Sequence, residues 1–76
     1  MNKKRRDEIK TVKDRIVGIK KEIETIQRDE EYAFDSMPEG LQQSQRGEES
    51  EEAIGLMDNA IDKLDDAISE LEDILL

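Results

Sequence analysis

Ala53-Ile54-Gly55-Leu56-Met57-Asp58-Asn59, Ala60-Ile61-Asp62-Lys63-Leu64-Asp65-Asp66 and Ala67-Ile68-Ser69-Glu70-Leu71-Glu72-Asp73 follow one another as three blocks of seven residues, and Ile74-Leu75 begins a fourth. Within the blocks Ile54, Met57, Ile61, Leu64, Ile68, Leu71 and Leu75 alternate three and four apart. That spacing keeps one apolar seam on one side of an α-helix. A second column, Ala53, Ala60, Ala67 and Ile74, runs beside it. Three apolar columns are more than one antiparallel neighbour needs, so the stretch predicts a helix that joins a bundle.

The same pattern stands in the first half. Ile9, Val12, Ile16, Ile19, Ile23 and Ile26 again alternate three and four apart, and Val17 widens the stripe. Isoleucine at nearly every seam position leans toward more than two strands, a rule drawn from parallel coils. Gly18 in mid-helix costs about 1 kcal/mol against alanine, which suggests a close backbone approach there. Continuing the heptads puts Glu30 on the seam, so the register is expected to loosen between Gln27 and Met37.

Charge divides the chain. Residues 1–28 hold ten Lys/Arg against five Asp/Glu, whereas residues 29–76 hold two against sixteen. A basic half followed by an acidic half fits an antiparallel hairpin with Lys3–Arg6 beside Glu70–Asp73. Such exposed pairs contribute little individually but select orientation and register. With 43% charged and 3% aromatic residues in 76, the chain favours long helices over a compact globule. It has no cysteine and no histidine, so there is no thiol nucleophile, thiolate metal site or imidazole base. No apolar run approaches a membrane span, and the basic start lacks the apolar segment of a signal peptide. A cytoplasmic protein without cofactor or metal is the expectation.

Residues 37–47 separate the halves. Ser36-Met37-Pro38-Glu39 has the form of a capping box, with Ser36 as N-cap and Pro38 in the first turn. A short helix at 38–45 would dock through Leu41, and Gly47 suits a left-handed C-cap. The expected organisation of 1–76 is a single all-α domain: a helix over about 3–36, a junction with a short helix over 37–47, and a helix over about 48–75. The hairpin then self-associates into a bundle, a four-helix dimer. The expected oligomer interface comprises the thirteen seam residues, Ile9 to Ile26 and Ile54 to Leu75, given above without Val17.

Glu48-Glu49-x-x-Glu52 with Glu70-x-x-Asp73 matches in letters the magnesium-binding pattern of all-α nucleotide pyrophosphatases. That pattern needs its clusters on facing helices, whereas here one helix carries both, about 27 Å apart. An enzyme is therefore not expected. Lys3-Lys4-Arg5-Arg6 could meet phosphates, but Asp7 and Glu8 follow at once and no aromatic is interleaved, which argues against nucleic acid. The acidic face of Asp58, Asp62, Asp65, Asp66, Glu70, Glu72 and Asp73 reads as a solvated exterior, or as a DNA mimic. Gln42, Gln43, Ser44 and Arg46 are the candidate partner- or ligand-binding residues. Arg46 either clamps Glu49 or Glu39, or binds an anion at the bundle's end.

The stretch Phe34-Asp35-Ser36-Met37-Pro38-Glu39-Gly40-Leu41-Gln42-Gln43-Ser44-Gln45-Arg46-Gly47-Glu48, followed by Ala-Ile-x-x-Leu heptads, resembles small uncharacterised helical-hairpin proteins of bacteriophages and prophages. Their basic, isoleucine-rich first helix and acidic second helix extend the resemblance over nearly the whole chain. It implies a binder that inhibits, titrates or redirects a host component, defence systems included. The expected function is thus a non-enzymatic, homo-oligomeric interaction protein whose partners are itself and a host protein. Two alternatives stay open: a sponge for an anionic nucleotide signal at the junction, and an acidic DNA mimic.

Overall fold

The computed structural model describes residues 1–76, all helix and turn with no strand. Helix α1 spans Lys3–Asp35, α2 spans Glu39–Gln42 and α3 spans Gln45–Leu75. α1 and α3 run antiparallel as one hairpin of 58 × 14 × 14 Å, and α2 lies within the turn.

α1 starts where the sequence places it. Asn2 Oδ1 accepts the Arg5 N–H at 2.9 Å, a side-chain N-cap. The four basic residues that follow sit at the positive end of the helix dipole, where cations are unfavourable. The antiparallel neighbour offsets this. The Arg6 guanidinium donates to the carbonyls of Ile74 and Leu75 at 3.4 and 2.6 Å, in the last turn of α3, where carbonyls lack helical donors. The basic and acidic ends therefore meet, but through main-chain carbonyls. No ion pair joins Lys3–Arg6 to Glu70–Asp73.

The hairpin register is uniform. Glu30 bonds to Ser50, Gln27 to the Ile54 carbonyl and Arg6 to the Leu75 carbonyl, pairs that sum to 80 or 81, while the longer reaches Gln27–Asp58 and Lys20–Asp65 both sum to 85. All seven seam residues of α3 are half-buried. In α1 only Ile9, Ile16 and Ile23 are, while Val12, Ile19 and Ile26 stay 45, 47 and 58% exposed. Their expected place against α3 is taken by Arg6, Lys13, Lys20, Gln27 and Phe34, the half-buried column on the other flank. α1 is thus turned by about 50° from the expected seam, one column of a heptad wheel.

Long polar side chains explain the turn. Their stems cover apolar surface while their ends reach polar partners. Gln27 Nε2 donates to the Ile54 carbonyl at 3.2 Å and to Asp58, and Lys20 Nζ pairs with Asp65. The register does not loosen after Gln27 either. Ser50 Oγ donates to Glu30 Oε1 at 2.7 Å, which satisfies the seam carboxylate, and α1 continues unbroken to Asp35.

The junction differs from its expectation at four points. Ser36 closes α1 instead of opening the next helix: its backbone is helical (φ −83°, ψ −9°) and its N–H donates to the Tyr32 carbonyl. Pro38, extended at ψ 147°, is the N-cap of α2, without a side-chain bond. α2 docks through Gln42, whose Nε2 donates to the Phe34 carbonyl at 3.0 Å, whereas Leu41 stays 45% exposed. Gly47 ends nothing, because α3 begins at Gln45 behind the N-cap Ser44 and no glycine has a positive φ. Gly47 is instead buried against the Gln42 main chain, where a Cβ would collide. Gly18, by contrast, has open space around it and marks no close approach.

Candidate functional site

Columns seven residues apart run straight along the hairpin, so each broad face can be read from its columns. Lys13, Lys20 and Gln27 of α1 share one face with Asp58, Asp65 and Glu72 of α3, as the Lys20–Asp65 and Gln27–Asp58 contacts require. Helical phase puts the remaining columns on the opposite face. These are Val12, Ile19, Ile26 and Ala33 from α1, and Ala53, Ala60, Ala67 and Ile74 from α3. One face of the plank is polar and tied across; the other carries an apolar strip, Val12 to Ala33 on α1 and Ala53 to Ile74 on α3, with Arg5 and Arg46 next in the two columns.

The apolar face has no cover. The buried residues are Gly47 and Ser50, and no hydrophobic side chain is buried at all. The accessible surface is 5867 Å², against about 4,800 Å² expected for a folded chain of this mass. The radius of gyration is 17.3 Å, against about 11 Å for a compact chain of this length. The excess of roughly 1,000 Å² is comparable with the ~800 Å² that one partner contributes to a standard interface.

The junction residues divide into two pairs. Gln42 and Ser44 are occupied internally, since Gln42 holds the Phe34 carbonyl and Ser44 Oγ donates to the Leu41 carbonyl. Gln43 and Arg46 are exposed. Arg46 enters no ion pair with Glu39 or Glu49; Gln45 bonds Glu49 in its place, at 3.2 Å. The one surface depression lies elsewhere, over Lys4, Asp7, Glu8, Thr11 and Val12.

No group of three or more acidic side chains is placed to hold a metal ion, and no helix is long and apolar enough to cross a membrane. Heptad spacing put Val12, Ile19 and Ile26 in one seam and one expected oligomer interface with Ile9, Ile16 and Ile23; the structure separates the two columns, with Ile9, Ile16 and Ile23 half-buried against α3 and Val12, Ile19 and Ile26 exposed. The missed signal was the heptad column Lys13, Lys20, Gln27 opposite Asp58 and Asp65. No family model, curated protein or solved structure matches this chain.

Proposed function

We propose that this chain is a non-enzymatic interaction protein that works as a self-associated bundle, two hairpins joined through their apolar faces. The observation that carries the reading is the exposed column Val12, Ile19 and Ile26 on a hairpin with no buried hydrophobic side chain. A contiguous apolar face of this length marks an association surface. Light-scattering chromatography of the wild type and of Ile19→Asp tests it. The wild type is expected as a discrete oligomer and the variant as a helical monomer. A wild type that runs as a single chain at all concentrations would overturn self-association.

Pairing the apolar faces leaves the polar faces and the junction available to a further partner. The resemblance to phage proteins supports a host component, bound and thereby inhibited or titrated. Affinity capture from host lysate, followed by assay of each captured activity, tests this. Recovery of the chain alone, or of proteins whose activity is unchanged, argues against it. A second reading rests on Arg46, exposed and outside any ion pair beside Gln43, as a contact for an anionic nucleotide. Calorimetry with a nucleotide panel on wild type and Arg46→Ala decides it, and absence of heat removes it.

A further inference from the structure

The apolar face is not uniform across its width, and the difference specifies how a second copy sits on it. On α1 the face is a ridge of β-branched side chains, Val12, Ile19 and Ile26, each standing proud of the hairpin. On α3 it is a shallow trough of Ala53, Ala60 and Ala67, all half-buried already. Charge follows the same division. α3 holds two basic against eleven acidic residues, whereas α1 holds ten against nine.

Two twofold arrangements bring two such faces together. With the axis across the helices, α1 lies on α1 and α3 on α3. Ridge then meets ridge, trough meets trough, and two strongly acidic helices run side by side. With the axis along the helices, each α1 lies on the partner copy's α3. Ridge enters trough, and each acidic α3 meets an α1 whose charges nearly balance, not a second acidic helix.

Register supports the second arrangement. An axis parallel to the helices preserves height, so the facing positions of one hairpin also face one another between copies. Side chains lean toward their own helix N-terminus. Ile19 therefore points at the gap between Ala60 and Ala67 of the opposing α3, and Ile26 at the gap between Ala53 and Ala60. That is knobs-into-holes packing with small residues as the holes. Ridge-on-ridge packing would hold the copies apart at the isoleucines and leave voids over the alanines.

Resting on the self-association proposed above, we infer that two copies pair with the twofold axis along the helices, α1 of each on α3 of the other. All neighbouring helices are then antiparallel, both junctions stand at one end of the bundle, and both basic N-termini stand at the other. The occupant of the apolar face is a second copy, because the ridge on α1 and the trough on α3 complement each other in shape and register, and the elongated hairpin leaves roughly 1,000 Å² more surface exposed than a compact chain of its mass.

A single spin label decides the arrangement. The chain has no cysteine, so Gln43→Cys, at an exposed junction position, gives one label per copy. Helix spacings of 8–10 Å place same-end labels roughly 15–30 Å apart, tethers included. An axis across the helices separates them by nearly the 58 Å length of the hairpin. The short distance in a two-copy particle is the expected result. The long distance overturns this pairing while leaving self-association intact, whereas a single-copy mass removes both. Ile19→Asp with the same label is expected to lose the dipolar signal while keeping its helical content.

Discussion

Ser50 Oγ donates to Glu30 Oε1 at 2.7 Å, and Ser50, 4% exposed, is the most enclosed side chain of the hairpin. The bond lets a carboxylate occupy a seam position that the heptads reserve for an apolar residue. Ser50→Ala leaves that carboxylate without its donor. It is expected to lower stability by about 1 kcal/mol, since Glu30 keeps partial access to water. Ser50→Ala with Glu30→Leu removes both polar groups and is expected to recover the loss. Urea unfolding of the three proteins at one fixed concentration checks this, and additive losses in the double variant would contradict it.

Gly47 and Gly18 should respond oppositely to alanine. A Cβ at Gly47 would run into the main chain of Gln42, so α2 must move. The expected cost is about 1–3 kcal/mol, as for other overpacked sites. A Cβ at Gly18 meets nothing within 4 Å, and a helix-interior glycine costs about 0.5–1 kcal/mol against alanine. Gly18→Ala should therefore raise the melting temperature and Gly47→Ala lower it. Equal shifts would mean that the junction does not pack on α3.

Adjacent seam residues of α1 separate hairpin from assembly. Ile23 is half-buried against α3, whereas Ile26 is 58% exposed on the apolar face. Ile23→Asp is expected to lose much of its helical circular dichroism, because the hairpin itself opens. Ile26→Asp is expected to keep its helicity and lose only self-association. If both variants lose helicity in parallel, hairpin and assembly form in one step.

Helix type, antiparallel order and the face of α3 were legible because each rests on many residues repeating one period. The phase of α1 was not, because it is decided by a few polar side chains that pattern reading assigns to solvent. Ile19 and Lys20 are neighbours; hydropathy favours burying Ile19, yet the Lys20 stem packs inward because Asp65 receives its charge across the hairpin. The junction was misread for a related reason. Ser36 and Gly47 are suited to caps by local preference, but Ser36 finishes the last turn of α1 and Gly47 gives room to the Gln42 carbonyl. Glycine in the sequence does not tell a tightly packed position such as Gly47 from an open one such as Gly18.

Lys20 supplies a pH test of the phase of α1. Its pKa is raised above the ordinary lysine value of 10.5, first by its hydrogen bond to Asp65 and then by the charges of Asp65, Glu24 and Asp62, with partial desolvation opposing them. A raised pKa means that the folded state holds the proton more tightly than the unfolded chain does. The linked stability is thus complete below the unfolded value near 10.5 and lost as pH rises through the higher folded value. Wild type should therefore exceed Asp65→Asn in stability by a constant margin at neutral pH, and the margin should narrow only above about pH 10.5. Titration of the Lys20 side chain by NMR reads the same contact directly. A Lys20 that titrates at the ordinary lysine value in the wild type, unmoved by Asp65→Asn, would return α1 to the phase that buries Ile19.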